Sequence, residues 1–283
     1  MKVTVILPAY NEEESLKDLI SKIHEVLGQE CEVIVINDAS TDNTASVAVD
    51  CGARVIHNPY NMGNGAAVKR GIRKASGQAI VLMDADGQHN PEEIPKLLEG
   101  LSDFDMVVGA RTKSAQVFWR KIANNIYNCL ASYISGMKID DLTSGFRAFK
   151  KDKAMKFLYL LPNTFSYPST LTLSFIKAAY SVKFIEASVL PRQKGKSKIN
   201  LLSDGTRFFV IIMKICVFFS PLKVFLPISL LFGGLGLGYY GYTFFNAHRF
   251  TNMSALLLSS SVIILMLGLV SEQIASLRME KID

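Results

Sequence analysis

The stretch Met83-Asp84-Ala85-Asp86-Gly87-Gln88-His89 ends an apolar run with two carboxylates one residue apart. A strand projects alternate residues to one side, so at a strand's end Asp84 and Asp86 turn the same way. Two carboxylates converging at such an edge repel unless a cation lies between or beside them. Oxygen donors without cysteine or a histidine cluster suit Mg²⁺ or Mn²⁺ rather than zinc, and such ions take their remaining ligands from substrate phosphates. Gln88, two residues further on, offers a third oxygen. D-A-D-G is also good turn chemistry, so the string taken alone fits a cation site and a solvated acidic turn equally. His89 reads as a turn residue rather than as an acid or a ligand.

Two other polar clusters break that tie. Pro8-Ala9-Tyr10-Asn11-Glu12 follows the first β-rich run, and Asn37-Asp38-Ala39-Ser40-Thr41-Asp42 follows the second. Polar residues at three strand ends mark the edge where α/β sheets bind ligands. Asp38 is placed to accept hydrogen bonds from a base N–H, while Ser40 and Asp42 also suit helix capping. Asn61-Met62-Gly63-Asn64-Gly65 reads as a turn entering a helix more than as a phosphate cradle.

A sheet must gather these clusters. Residues 3–7, 32–37, 54–57, 79–83 and 105–108 read as strands, mostly apolar and β-branched throughout, as in a sheet covered on both faces. Residues 13–27, 41–51, 65–75 and 91–98 read as helices, the last with Asn90 as cap and Pro91 just inside its start. The alternation predicts an α/β domain with a largely parallel sheet. Residues 117–135 and 151–160 read as further helices, and 183–190 as a late strand.

Charge and hydropathy then change. Residues 1–189 hold 21 Lys and Arg against 21 Asp and Glu, and residues 190–283 hold 10 against 4, so the whole net charge of +6 lies in the last third. A neutral body with a basic, apolar tail points to a membrane surface and away from nucleic acid. From 201 to 219 the only charges, Asp204, Arg207 and Lys214, fall on one narrow arc, as in a helix lying in the membrane interface. Residues 222–245 and 253–271 then each meet the length of roughly 20 apolar residues that a bilayer requires, with Lys223 their only charge. Lys214, Lys223, Arg278 and Lys281 flank the open ends against Arg249 in the turn, which predicts a hairpin with both termini cytoplasmic. The alternative is a buried hairpin of a soluble domain. The organisation expected is a domain over 1–198, an interfacial helix over 199–220, a transmembrane hairpin over 221–276 and a tail over 277–283. Four dispersed cysteines and the absence of a signal peptide predict reduced thiols and a cytoplasmic first domain.

PAYNEE, VINDASTDNT, NMGNGAA, MDADGQHNPEEI and DLTSGFRAF occur in that order and at the spacing of family 2 glycosyltransferases with the GT-A fold. With the hairpin, the chain resembles the polyprenyl-phosphate glycosyltransferases, the group of the dolichol-phosphate mannose synthases. The resemblance spans residues 3–198. It implies that Pro8, Tyr10, Glu12, Asp38, Asp84, Ala85 and Asp86 hold a nucleotide-sugar, with Asp84, Asp86 and Gln88 binding Mg²⁺ or Mn²⁺ on its diphosphate. Asp141, Ser144, Gly145 and Phe146 match the D-x-x-S-G-F loop near sugar and acceptor. Arg192 matches a basic loop that clamps phosphates. Gly87 stands where the mannose synthases commonly carry leucine, and no Q-x-x-R-W string of processive synthases is present.

The reaction this resemblance implies joins the anomeric carbon of a UDP- or GDP-linked sugar to a polyprenyl phosphate, undecaprenyl or dolichyl, with inversion. A phosphomonoester's second pKa is near 6, so the attacking oxygen is already ionised and positioning matters more than a base. Asp86, Asp141 and Arg192 are the expected catalytic residues, and Arg111, Arg120, Ser144 and Arg147 the expected contacts of the acceptor phosphate. The expected location is the inner or plasma membrane, multi-pass, with the catalytic domain cytoplasmic; a homo-oligomer is compatible with this. The alternatives are transfer to another lipid or glycan, and an inactive nucleotide-sugar-binding scaffold.

Overall fold

The computed structural model describes residues 1–111, 118–163, 166–188, 213 and 217–280, without the side chains of 118–124, 247, 279 and 280. The chain divides into two compact units, Met1–Ile199 and Asn200–Asp283.

In the first unit a seven-stranded sheet forms from β1 (Val3–Ala9), β2 (Glu32–Asn37), β3 (Arg54–His57), β4 (Ala79–Leu82), β5 (Met106–Arg111), β6 (Arg147–Lys150) and β7 (Val182–Ala187), in the spatial order β3-β2-β1-β4-β6-β5-β7. All neighbours are parallel except β6, which runs antiparallel to both β4 and β5. The expected largely parallel α/β sheet is therefore present. Its chain order reverses at β1, with β2 on one side and β4 on the other, and that is the switch point where such sheets open a ligand crevice. Because β6 is reversed, its first residue lies at the same edge as the last residues of β4 and β5, with Arg147 opposite Leu82 and Val108.

Helices α1 (Glu13–Leu27), α2 (Thr44–Asp50), α3 (Asn64–Lys74), α4 (Ile94–Gly100), α5 (Phe118–Ser135), α6 (Lys151–Met155) and α7 (Tyr167–Lys177) accompany the sheet. Leu16, Leu19, Ile20, Ile23 and His24 of α1 are buried, the i, i+3, i+4, i+7, i+8 stripe of a helix with one face in the core. The core runs through β1, β2 and β4 to Met83, Ala85, Phe146 and Ala187, so it ends directly beneath the polar strand ends. Each such large aliphatic side chain contributes about 1.5–3 kcal/mol by burial. The helix expected at 91–98 begins instead as a single tight turn, Pro91–Glu93, with Asn90 Oδ1 accepting from Glu92 N, before α4. The strand β6 and the helix α7 were not expected from the sequence.

Among the described residues the second unit carries two long helices, α8 (Leu222–Ala247) and α9 (Asn252–Glu280). Leu222–Asn246 and Asn252–Arg278 are long and apolar enough to cross a membrane, with mean hydropathies of 1.5 and 2.3. They pack on one another, and Ser229 Oγ donates to Ser261 O at 2.9 Å while Ser261 Oγ donates to Ser229 O at 2.8 Å. The second helix continues past 271 because Glu272 is absorbed at the helix pair: it accepts from Leu222 N at 3.0 Å, where an anion suits the helix N-terminus. Of the expected interfacial helix over 199–220, all but residues 213 and 217–220 lie outside the described residues.

Candidate active site

The loops after β1 and β2 hold each other. Asn11 and Ala39 adopt left-handed backbone, with φ of 56° and 61°, which turns the chain sharply at both strand ends. Asn11 N donates to Ser40 Oγ and Thr41 N donates back to Asn11 Oδ1, at 3.0 and 2.8 Å. The first N–H groups of α1 are capped from the neighbouring loop: Glu12 N donates to Thr44 Oγ1 at 2.9 Å and Glu13 N to Asp42 Oδ2 at 3.3 Å. Burial disfavours the charge of Asp42, but hydrogen bonds from Thr44 and Glu13 N hold its pKa below the ordinary range. The corner leaves Pro8 and Glu12 half-buried and the Tyr10 ring 47% exposed.

Asp38 is buried, and its carboxylate receives Asn58 Nδ2 and Met62 N on Oδ1, at 2.6 and 2.9 Å, and Gly63 N on Oδ2 at 2.9 Å. Asn58 in turn accepts from Arg70 at 2.8 Å. The glycine-rich N-M-G-N-G stretch is thus a turn tied to Asp38 at the entrance to α3.

Asp84 and Asp86 stand just beyond β4, both half-buried. Ser15 Oγ donates to Ala85 O at 2.6 Å, tying this loop to α1, and Gln88 N donates to Asp86 Oδ1 at 3.1 Å. The Asp84 carboxylate lies against the Cα of Gly145 so closely that a Cβ there would stand 2.8 Å from Asp84 Cγ. His89 is buried, with Nε2 3.6 Å from Asp84 Oδ2 and its ring stacked on Phe146 at 5.1 Å between centroids. Burial alone would raise the Asp84 pKa; His89, then Arg111 and Arg147, hold it below the usual carboxylate range. Two motifs more than fifty residues apart in sequence therefore meet: the D-A-D-G-Q-H loop and the S-G-F turn.

Among the described residues no group of three or more His, Cys, Asp and Glu side chains is placed to hold a metal. The chain itself offers a cation two carboxylates and the Gln88 amide. This oxygen set fits Mg²⁺ or Mn²⁺, which are bound by one or two carboxylates with substrate phosphates, and does not fit a structural zinc.

Asp141 is buried and closes a two-pronged bond with Arg111, whose Nε and Nη2 lie 2.7 and 3.0 Å from its oxygens. Burial works against the charge of Asp141, but the Arg111 fork and the N–H groups of Arg111 and Thr143 lower its pKa. Arg111 Nη2 also donates to Thr143 Oγ1. Ser144 Oγ donates to Gly109 O at 2.6 Å and accepts from Phe146 N at 3.2 Å, so this hydroxyl shapes the turn. Arg147 is fully buried, donating to Pro168 O and Thr172 Oγ1, each at 2.8 Å, and to Ser144 O. Burial lowers its pKa to about 10.

The structure thus brings Pro8, Tyr10, Glu12, Asp38, Asp84, Ala85, Asp86, Gln88, Arg111 and Asp141 to one sheet edge. Ser144 and Arg147, expected at the acceptor phosphate, are both buried: the Ser144 hydroxyl is taken up by the turn before β6, and Arg147 opens β6 with its Nη groups bonded to protein oxygens and its Nε without a hydrogen-bond partner among the described residues. Arg120 belongs to α5 but its side chain, like all of Arg192, lies outside the described residues. Sequence reasoning missed the support of Asp38 by Asn58, of Asp84 by His89 and of the loop after β4 by Ser15. Asn58 stands directly after β3 and His89 in the loop that follows β4, which was the available signal.

A mostly parallel sheet with one reversed strand, and a paired-aspartate loop at its switch point, define a GT-A-type fold. The chain belongs to Glycosyl transferase family 2, whose domain it matches over residues 4–158, and residues 220–277 match the GtrB C-terminal hairpin. It is 36% identical over 215 residues to the dolichol-phosphate mannosyltransferase of Pyrococcus furiosus, covering 70% of this chain and 59% of that relative. It is 29% identical to the undecaprenyl-phosphate mannosyltransferase of Micrococcus luteus, covering 71% of this chain and 88% of the relative. The chain thus spans less than two thirds of the length of the first of these relatives. In fold it is similar to glucosyl-3-phosphoglycerate synthase of Mycobacterium tuberculosis, solved with Mn²⁺, UDP and glucosyl-3-phosphoglycerate, with a TM-score of 0.61 and 21% identity over 76% of this chain and 78% of that one.

Proposed function

We propose that this protein is a membrane-anchored inverting glycosyltransferase that moves a sugar from a UDP- or GDP-linked donor to a polyprenyl phosphate on the cytoplasmic leaflet. The observation that carries the reading is the packing of Asp84 on Gly145, which joins the paired-aspartate loop to the D-x-x-S-G-F turn. The apolar hairpin supplies the reason for a lipid acceptor.

Pro8, Tyr10, Glu12 and Asp38 line the place of the nucleoside, with the exposed Tyr10 ring available to a base. Asp84 and Asp86, with Gln88, would hold Mg²⁺ or Mn²⁺ beside Ala85. When bound, that ion supplies Lewis-acid stabilisation of the charge that gathers on the departing diphosphate. Asp141 holds the Arg111 guanidinium in a fixed plane, so its role is to position Arg111 rather than to take a proton. An ionised phosphate oxygen needs no strong base; it needs to be held in line with the anomeric carbon, and planar guanidiniums suit that task. Arg111 and Arg120 orient the acceptor phosphate, and Arg192 clamps the phosphates. Ser144 and Arg147 act from below by shaping the S-G-F turn.

The test is to incubate the purified full-length protein with a panel of nucleotide sugars and short polyprenyl phosphates in the presence of Mg²⁺ or Mn²⁺, and to read products by mass spectrometry. A glycosyl polyprenyl phosphate is expected from at least one donor. Sugar transferred only to diacylglycerol or glycan acceptors would refute the acceptor assignment.

A further inference from the structure

Thr143 has no part in the chemistry described above, yet its side chain joins both partners of the Arg111–Asp141 pair. Its hydroxyl donates to Asp141 Oδ1 at 3.1 Å and accepts from Arg111 Nη2. Its backbone N–H donates to the same Asp141 Oδ1, also at 3.1 Å. That backbone bond alone makes the turn at Asp141, so the local fold has no need of the hydroxyl. Asp141 accepts in addition from Arg111 N and Nε on Oδ2 and from Arg111 Nη2 on Oδ1. A carboxylate has about four lone-pair sites, so Asp141 has none left for a substrate.

The donors of Arg111 divide differently. A guanidinium carries five N–H groups. Nε gives its one to Asp141 Oδ2, and Nη2 gives one to Asp141 Oδ1 and the other to Thr143 Oγ1. The two N–H groups of Nη1 have no partner among the described residues, and the side chain is 28% exposed at the sheet edge. Asp84 is close enough to act on this guanidinium electrostatically, so the open nitrogen belongs to the same edge as the paired aspartates. Without the Thr143 hydroxyl a second nitrogen would carry a free N–H, and the plane would lose one of its fixed points. We infer that Thr143 is a positioning residue of the transferase: by taking the last donor of Nη2 it leaves Nη1 as the one nitrogen that Arg111 offers, and so fixes where an oxygen of the acceptor phosphate is held. The inference rests on the proposed contact between Arg111 and the acceptor phosphate.

Steady-state kinetics of the full-length protein test it, using the donor and the short polyprenyl phosphate that give product in the panel above. Thr143→Val keeps the branched shape and removes the hydroxyl. It should lower kcat/KM for the polyprenyl phosphate about tenfold, while KM for the donor and Mn²⁺ affinity in the presence of nucleoside diphosphate stay within about twofold. Thr143→Ser, which keeps the hydroxyl, should stay within about twofold of the native kcat/KM. Arg111→Lys keeps a charge beside Asp141 but loses the planar fork, and should lower the same constant at least tenfold. In that background Thr143→Val should have less than a twofold effect, because no Nη2 is left to hold. A silent Thr143→Val, a Thr143→Ser as impaired as Thr143→Val, or losses that multiply in the double mutant would overturn the inference while leaving Arg111 at the phosphate. A silent Arg111→Lys would instead remove the Arg111 contact itself, and the inference with it. Should Thr143→Val not fold, Thr143→Ala removes the same hydroxyl and should show the same loss confined to the acceptor; native kinetics in Thr143→Ala, or a loss shared equally by the donor, counts against the positioning role.

Discussion

Gly145→Ala is the sharpest perturbation the structure offers, because the nearest atoms a methyl group there would meet all belong to Asp84. The Gly145 backbone is outside the left-handed region, so alanine brings no torsional strain. Its Cβ, however, would stand 2.8 Å from Asp84 Cγ and 2.9 Å from Oδ1, with Oδ2 nearer still. Ordinary contact begins at 3.4 Å, so the carboxylate must retreat by more than about 0.6 Å, several times the roughly 0.2 Å by which metal–ligand distances vary. The Asp84 side chain is 37% exposed and can swing outward, so the fold should survive with its melting temperature within a few degrees. Mn²⁺ affinity in the presence of a nucleoside diphosphate, and turnover with it, should fall 10- to 100-fold, as when a supporting residue of a metal ligand is lost, or about 1.4–2.7 kcal/mol. Titration calorimetry with Mn²⁺, a steady-state assay and a thermal melt on the same preparation measure all three. Native Mn²⁺ affinity and turnover in Gly145→Ala would refute the argument that Asp84 is a ligand held by contact with the S-G-F turn.

Other outcomes follow from the same geometry. Asp86→Asn should abolish turnover while circular dichroism stays native, and excess chelator should silence the unaltered enzyme; activity surviving either treatment removes the metal assignment. Residues Met1–Ile199 expressed alone should still bind nucleoside diphosphate but glycosylate polyprenyl phosphate in liposomes at least tenfold more slowly, since the hairpin no longer raises local acceptor concentration; equal rates on liposomes would show that the hairpin is not a docking device. Asp105, which opposes burial with bonds from Lys150 and Ser181, has its pKa lowered in the fold. Its contribution is therefore complete above the unfolded value of about 3.9 and is lost as pH falls through the folded value. Asp105→Asn should lower stability by about 1–2 kcal/mol at neutral pH and flatten the loss below about pH 4, and urea melts at pH 7 and pH 3 that shift equally would contradict this.

Helix α1 and strands β2 and β3 were legible to the residue, because apolar periodicity and flanking polar residues agree there. Strand β6 was hidden because Arg147-Ala148-Phe149-Lys150 is four residues long and opens with a charge; nothing local reveals that the arginine is buried by a sheet on two sides. Helix α7 was hidden for the opposite reason. Tyr167 to Phe175 are all buried, so Tyr-Pro-Ser-Thr-Leu-Thr-Leu-Ser-Phe has no polar face to set a 3.6-residue period, and its serines and threonines are poor helix formers. The Asp84–Asp86 pair could be read from spacing alone. Its coupling to Gly145 and His89 could not, since it depends on the antiparallel return of β6.

That return also explains an arginine with no carboxylate in contact among the described residues. Arg147 donates from Nη1 and Nη2 to two carbonyls and Thr172 while its Nε has no partner among the described residues, an expensive way to bury a guanidinium. With its pKa lowered only to about 10, it stays protonated at neutral pH and is a fixed positive charge under the site. Arg111 is already closed on Asp141, so its charge is largely matched. The field of Arg147 falls on Asp84, after those of His89 and Arg111, and on Asp141. A carboxylate pressed against backbone at Gly145 and partly desolvated would otherwise gain a proton more readily, and a protonated Asp84 binds no cation. On the proposed reading Arg147 would serve the chemistry through its field rather than by touching a substrate, which reconciles its place directly after the D-x-x-S-G-F loop with its complete burial.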